Sequence, residues 1–156
     1  MAVNLDGTFL GCKHAMPLLK RQGGAIVNLS SVSGLVGEQN LAACNASKGG
    51  VRLLTKSVAL YGARLSPQVR CDSVHPAFLE GAMIDGIAAA TSHPDGARAR
   101  MTRNVPLGRL GTRAEVAAHR LPVVRRVFVT GGESPSTAGS QFAVIVLRRP
   151  REGGDP

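Results

Sequence analysis

NLAACNASKGGVRLLTKSVAL, residues 40–60, carries apolar side chains at helical spacing. This pattern predicts an amphipathic helix over about 41–64 with one buried face. Lys48 lies in the first turns of that helix, four residues after Cys44. Because residues four apart share a helix face, the ammonium of Lys48 would favour the ionised form of an acidic group at position 44.

Short apolar runs on either side of this helix predict strands. Residues 25–29, AIVNL, are rich in β-branched side chains and bounded by glycine and serine, which favours a buried parallel strand. Residues 68–74, QVRCDSV, predict a second strand that ends at His75-Pro76. A helix over 3–21 precedes the first strand and ends at QGG, since glycines are typical after a helix C-terminus.

The alternation of helices and strands along the chain indicates an α/β fold with a parallel sheet. The long segment 77–112 follows a strand end, and a segment in that place is typical of a lid over a ligand. The elements predicted after Pro76 are helical turns around 82–90 and 95–102, a helix from 113, strands at 124–132 and 141–147, and a loop, ESPSTAGS, at 133–140.

Composition limits the class of protein. The 156 residues suit one domain, and 44% hydrophobic residues exclude a disordered polymer. No apolar run approaches the roughly 18 residues of a membrane span, so a cytoplasmic chain with no membrane partner is expected. The net charge of +9 comes from dispersed arginines without aromatic neighbours, which argues against specific nucleic-acid binding. The RRPR cluster at 148–151 leaves nonspecific polyanion binding as a minor hypothesis.

The three cysteines are far apart and lack CxxC spacing, and the four histidines are scattered, so neither a disulfide framework nor a metal site is predicted. Cys12 and Cys71 are expected to be buried in the core.

Five motifs in order resemble the short-chain dehydrogenase/reductase family, the single-domain Rossmann oxidoreductases. The resemblance covers residues 3 to about 118. It implies the C-terminal half of a Rossmann-like, doubly wound parallel sheet, with about three strands and flanking helices. It divides the chain into a catalytic half, 1–118, a divergent segment, 119–147, and a basic disordered tail, 148–156. The motifs are VNLDGTF at 3–9, GGAIVNLSS at 23–31, NASKGGV at 45–51, VHPAFLEGAM at 74–83 and NVPLGRLGTRAEVA at 104–117.

The resemblance implies a catalytic set of Asn4, Ser31, Cys44 and Lys48. Ser31 would hold the substrate oxygen, Asn4 would maintain a water link to Lys48, and position 44 is the acid/base seat. The family has tyrosine at that seat, thirteen residues after its serine, and here it is Cys44. A thiol ends well short of a phenol's oxygen, and proton transfer needs heavy atoms about 2.6–3.2 Å apart. Impaired chemistry is therefore expected.

The resemblance also implies NAD or NADP as cofactor, contacted by Lys48, Pro76, Leu79 and Gly81. The family's TGxxxGxG turn, whose glycines let the backbone approach the pyrophosphate, is not in the sequence. Good nucleotide binding by this chain is therefore not expected. The implied reaction is NAD(P)-dependent oxidoreduction of a secondary alcohol or ketone, with a small apolar, alicyclic or steroid-like substrate.

The sequence leaves alternatives open. The chain could instead be a non-catalytic fragment that docks onto a full-length relative or forms a homo-oligomer. Residues 5–21 and 43–64 would form that contact, since the resemblance implies that these helices lie between subunits in the family. Among single residues, Ser31 could cap the turn after its strand and Asn4 could be a helix N-cap. Cys44 could be an inert small residue or a reactive thiolate.

Overall fold

The computed structural model describes residues 1–118 and 130–135. Helices and strands alternate along these residues, as the sequence predicts. The helices are α1 (Gly7–Leu19), α2 (Ala42–Gly62), α3 (Ala82–Ala89) and α4 (Pro94–Arg103), with a π-helical turn at Ala2–Asp6, a 3₁₀ turn at Val32–Gly34 and helical residues at 113–118; the strands are β1 (Gly24–Leu29), β2 (Val69–His75) and β3 (Glu133–Pro135).

The three strands form one parallel sheet in the order β1-β2-β3, which confirms the α/β class. β1 pairs with β2 from Gly24 opposite Val69 to Leu29 opposite Val74. β2 pairs with β3 from Ser73 opposite Glu133 to His75 opposite Pro135. The central strand β2 is almost wholly buried, as expected of a parallel strand covered by other elements.

The end of the described chain corrects one prediction. A loop was expected over 133–140, but Glu133–Pro135 form β3. Glu133 binds α2 through Arg52 and Lys56, with N–O distances of 2.7 Å in both ion pairs. Pairing with β2 and these two contacts override the turn preference of the local sequence. Of the strand predicted at 124–132, residues 130–132 are described and do not form a strand. Residues 124–129, the strand predicted at 141–147 and the tail 148–156 lie outside the described residues.

α2 packs its buried face on the sheet, and α1 packs beside it. Val51, Thr55 and Ala59 of α2 are buried, as are Cys12 and Met16 of α1. The predicted burial of Cys12 and Cys71 is confirmed, since they are 5% and 0% exposed. Burying a large apolar side chain such as Val51 or Met16 stabilises a fold by roughly 1.5–3 kcal/mol.

In the segment after β2, the helical turns predicted around 82–90 and 95–102 are confirmed as α3 and α4. α3 and α4 pack against each other around a small apolar cluster, so this segment has a core of its own. In the described ranges, no helix has the length and apolar character needed to cross a bilayer. The same residues contain no group of three or more metal-ligating side chains. The apolar cluster between α3 and α4 consists of Ile84, Ala88, Ala97, Met101 and Leu110, with Phe78 packed against it.

Candidate functional site at the carboxyl edge of the sheet

Three of the predicted site residues, Ser31, Lys48 and Pro76, lie where β1 and β2 end. Ser31 lies two residues after β1, and Pro76 directly follows β2. The hydroxyl of Ser31 donates to the carbonyl of Pro76 at 3.3 Å, and the N–H of Val32 donates to the same carbonyl at 3.0 Å. The two strand ends are thus bonded together, at the edge where parallel sheets usually bind ligands.

Ser31 also caps the short turn that follows it. The N–H of Ser33 donates to Ser31 Oγ at 3.2 Å, so the capping alternative is correct for this residue. A hydroxyl oxygen has two acceptor lone pairs, and one remains for a ligand hydrogen. Ser31 is half-buried, which leaves its hydroxyl partly open at the sheet edge.

Lys48 reaches the end of β1 from α2. Its ammonium donates to the carbonyl of Leu29 at 3.0 Å, and its own carbonyl accepts from Ser30 Oγ at 2.9 Å. Burial lowers the pKa of Lys48, and the negative charge of a Cys44 thiolate opposes that shift. Cys44 and Lys48 therefore lie close enough to interact, as their spacing on the helix predicts.

Close packing between α2 and the turn after β1 requires a glycine. A Cβ on Gly34 would lie 2.7 Å from the carbonyl oxygen of Lys48 and 2.7 Å from Ser30 Oγ. Any side chain here would push α2 away from β1. Gly34 thus allows Lys48 to contact the carboxyl end of β1.

Asn4 connects the start of α1 to the start of α2. Its Nδ2 donates to Ser47 Oγ at 3.2 Å, and Ser47 Oγ donates to the carbonyl of Cys44 at 3.0 Å. Asn4 lies within the π-helical turn Ala2–Asp6 rather than at a cap, so the N-cap alternative is wrong. Single π-helical turns often mark functional sites.

His75 is a buried member of this edge that sequence reasoning missed. Its Nδ1 lies 3.0 Å from the carbonyl of Ser31, so Nδ1 must donate, and Nε2 then accepts from Ser73 Oγ at 2.9 Å. Burial lowers the pKa of His75. The neutral ring therefore holds the backbone of Ser31 in place, and the VHP sequence alone gives no signal of that contact.

Asn45 is a second residue that sequence reasoning missed. Its Nδ2 donates to the carbonyls of Ser33 and Val36 at 2.9 and 2.7 Å, which holds the loop after β1 against the start of α2. Asn45 directly follows Cys44 at the start of α2, and this position is the one signal in the sequence that could have identified it. Asn45 orients the loop that carries Ser31.

The segment predicted to contact a nicotinamide connects β2 to α3. The structure brings Pro76 against Ser31, whereas Leu79 pairs with Gly111 and Gly81 begins α3. Gly81 has a φ of +140°, a conformation that other residues rarely adopt. Leu79 and Gly81 thus belong to the base of the α3–α4 segment.

Taken together, Ser31 and Lys48 present a hydroxyl and an ammonium at this edge. The thiol of Cys44 lies in the first turns of α2, where the carboxamide of Asn4 binds Ser47. A hydroxyl can hold a substrate oxygen, and a lysine can stabilise a negative charge near it. This set of groups can orient a polar oxygen and support proton transfer at it.

Comparisons with known proteins show what this chain is similar to. The family model for enoyl-(acyl carrier protein) reductases matches residues 1–139. An NADP-dependent (R)-specific alcohol dehydrogenase of Lentilactobacillus kefiri is 33% identical over 148 residues, covering 92% of this chain and 54% of that protein. A cyclohexanol dehydrogenase of an Acinetobacter species is 36% identical, covering 91% and 50%.

The fold has solved relatives as well. The ligand-free structure of an aldohexose dehydrogenase from Thermoplasma acidophilum matches with a TM-score of 0.75 and 30% identity, over 85% of this chain and 54% of that one. This chain spans about half the length of the relatives it matches.

Proposed function

Because this chain belongs to the short-chain dehydrogenase/reductase family, we propose that the sheet edge is the substrate side of an oxidoreductase centre. The reaction would interconvert a secondary alcohol and a ketone with NAD or NADP. The observation that carries this proposal is that Ser31 and Lys48 contact the ends of β2 and β1, while Asn4 binds Ser47 of α2, the helix that carries Lys48.

Each residue has a role that its contacts support. The hydroxyl of Ser31, with a lone pair free, would bind the substrate oxygen. Position 44 would exchange the proton of that oxygen, and Lys48 would favour the ionised form of the group there. Asn4 would orient the start of α2 through Ser47 and supply an amide to a water link.

The residues present fit the nicotinamide end of the cofactor only. The ammonium of Lys48 has three N–H groups, one of which bonds Leu29, so others remain for ribose hydroxyls. Pro76, Leu79 and Gly81 line the start of the adjacent segment. The glycine-rich turn that would hold the pyrophosphate is missing from the sequence. A bound nicotinamide would supply the hydride acceptor.

Cys44 limits this chemistry. Its side chain ends one atom beyond Cβ, whereas a tyrosine at the same helix position projects its oxygen several ångströms further. A thiol at this position would not reach an oxygen held by Ser31 within the distance that proton transfer requires. We therefore expect turnover by this chain to be close to background.

The first test compares alcohol oxidation by the purified chain and by Cys44→Tyr. Cyclohexanol is a suitable substrate, since the similar proteins include a cyclohexanol dehydrogenase and a trans-4-hydroxycyclohexanecarboxylate dehydrogenase. Formation of reduced nicotinamide is followed by absorbance, with NAD and NADP each at saturation. We expect turnover close to background by the natural chain and a gain of roughly 10²-fold or more for Cys44→Tyr, in the range of general acid–base contributions.

Two further results make this test decisive. Lys48→Met in the Cys44→Tyr background should remove the gain, because the phenol would lose its neighbouring positive charge. Nicotinamide binding is measured separately by fluorescence of the reduced form. If the nucleotide binds and Cys44→Tyr is still inactive, the assignment of position 44 is wrong. Robust turnover by the natural chain would show that Cys44 does not impair the reaction.

A second candidate function is docking onto a full-length relative through α1 and α2. A groove of about 550 Å³ lies between these helices, and its rim residues Phe9 and Tyr61 are 51% and 52% exposed. Leu53 and Leu60 of α2 are 65% and 71% exposed. So much apolar surface on two neighbouring helices is typical of an interface.

The docking proposal is tested by titrating the chain against a complete homologue such as the cyclohexanol dehydrogenase. Phe9→Ala and Tyr61→Ala should weaken binding by at least about tenfold, as expected of aromatic interface residues. Leu107→Ala is the matched control, because Leu107 is 58% exposed and lies outside both helices. Equal binding by all variants, or no binding by the natural chain, would refute the proposal.

A further inference from the structure

Two buried thiols lie on either side of one asparagine beneath α1. Cys12 of α1 lies 3.6 Å from Asn28 Oδ1, and Cys71 of β2 lies 3.6 Å from Asn28 Nδ2. Asn28 and Cys71 lie on neighbouring strands, where Cys71 is paired with Ile26, two residues before Asn28. The pleat places residues 26 and 28 on the same face, so the three side chains meet on one side of the sheet.

The two sulfurs also influence each other's ionisation. The neighbouring Cys71 lowers the pKa of Cys12 to about 6, and the interaction with Cys12 together with burial raises the pKa of Cys71. Asn28 is held in place because its Nδ2 also donates to Thr55 Oγ1 at 2.9 Å. Cys12 is thus the more readily ionised of two sulfurs that contact the same carboxamide.

Cys12 can be reached from outside, although little of its surface is exposed. It lines the groove between α1 and α2, together with Phe9, Met16, Leu54 and Tyr61. Cys71 lies behind it and is fully buried. A small oxidant in the groove therefore meets Cys12 first and has Cys71 as the next sulfur.

We propose that Cys12 and Cys71 form a redox-sensitive pair that hydrogen peroxide converts to a disulfide joining α1 to β2. The sulfur of Cys12 attacks one peroxide oxygen, forming an S–O bond and breaking the O–O bond, and the other oxygen leaves as hydroxide. The sulfur of Cys71 then attacks that of Cys12, the S–S bond forms, and the oxygen leaves as water with the thiol proton. The two thiols lose two electrons and two protons, and the peroxide becomes two waters.

The bond would close a long loop that contains β1, α2 and only the start of β2. In the chain-entropy account, constraining a loop of about 60 residues disfavours the unfolded chain substantially. For a chain of this size we expect the urea midpoint to rise by about 1–2 M on oxidation. The oxidised state would also fix α1 against the sheet, and with it one wall of the groove.

Peptide mapping of the full chain tests the pair directly. After treatment with a small excess of hydrogen peroxide, free thiols are alkylated and the chain is digested with trypsin without reduction. Each cysteine falls in a separate tryptic peptide, at 1–13, 22–48 and 71–98. We expect the first and third peptides to be joined, a mass lower by two hydrogens, and reversal by dithiothreitol.

Variants keep the result interpretable. Cys12→Ser should abolish the joined peptide, and the matched control Cys44→Ser should retain it. The rise in the urea midpoint should follow the joined peptide in each variant. Sulfinic acid on Cys12 with Cys71 still alkylatable, two unreacted thiols, or a link that uses Cys44 would each overturn the proposal and leave the pair as hydrogen-bonded core neighbours.

Discussion

His75 is a residue whose whole contribution depends on being buried and neutral. It is fully buried, donates from Nδ1 to the carbonyl of Ser31 and accepts at Nε2 from Ser73. A protonated ring would have two donors, and Nε2 would no longer accept the Ser73 hydrogen. The residue that holds Ser31 in place is therefore also sensitive to acid.

The stability of the chain should depend on pH through His75. Burial lowers its pKa in the folded chain below the ordinary value of 6.5, so below that value the unfolded chain binds more protons. The contribution of neutral His75 to the free energy of unfolding should be complete above about pH 6.5. As the pH drops below that value, the free energy of unfolding should fall by at most about 1.4 kcal/mol per pH unit. Urea unfolding between pH 5 and 7.5, read by circular dichroism, measures the slope.

His75→Asn is the informative variant, because an amide can still donate to Ser31 and does not titrate in this range. Its slope should be clearly flatter than that of the natural chain. His93→Asn, at an exposed position, is the control and should keep the natural slope. Equal slopes for the natural chain and His75→Asn would show that His75 does not control the acid response.

At the scale of elements, Gly62 and Gly49, two of the three glycines of α2, differ in the space available for a side chain. Gly62 packs against β2, and a Cβ there would lie 2.1 Å from the carbonyl oxygen of Val69. Gly49 has no neighbouring atom within 4 Å of the place where a Cβ would go. The first glycine is required by the approach of helix to strand, and the second only lowers helix propensity.

Replacing each glycine with alanine separates these effects. Gly49→Ala should stabilise the chain by about 0.5–1 kcal/mol, the usual gain of alanine over glycine inside a helix. Gly62→Ala should destabilise it by about 1–3 kcal/mol, because backbone atoms of α2 or β2 must move apart. Urea midpoints of the two variants measure the difference, and midpoints that shift in the same direction would contradict this account of α2.

At the scale of the whole molecule, the sheet has β1 at one edge. Among the described strands the order is β1-β2-β3, so β2 is the one strand hydrogen-bonded to β1. Leu29 at the end of β1 is 55% exposed. A strand edge with an exposed apolar side chain is a common starting point for association between chains.

The natural chain should therefore associate as its concentration rises, and Leu29→Lys should reduce that association. A lysine on an edge strand disfavours pairing with a second copy. Light scattering over a concentration series follows the effect. Leu107→Lys removes an equally exposed leucine elsewhere and should have little effect, so equal behaviour of the two variants would exclude the β1 edge as the contact.

Much of the fold could be predicted from the sequence because its signals are local. Hydrophobic periodicity predicts α1, α2, β1 and β2 to within a few residues, and the order of these elements predicts a parallel sheet. The spacing of Cys44 and Lys48 likewise predicts that they lie near each other, since both lie on one helix. Ser31 and Asn4 were found through motif resemblance; Ser31 lies at the strand ends, and Asn4 binds Ser47 of α2.

What the sequence by itself determined is this set of elements, their order, and the position of Cys44 and Lys48 four residues apart on one helix. Only the tertiary structure decided that Glu133 begins a strand, that His75 holds Ser31, and that Cys12 meets Cys71 across Asn28. The physical reason is distance along the chain. These contacts join residues far apart in sequence, and pairing with a remote strand or burial beneath a remote helix leaves no periodic pattern in the local sequence.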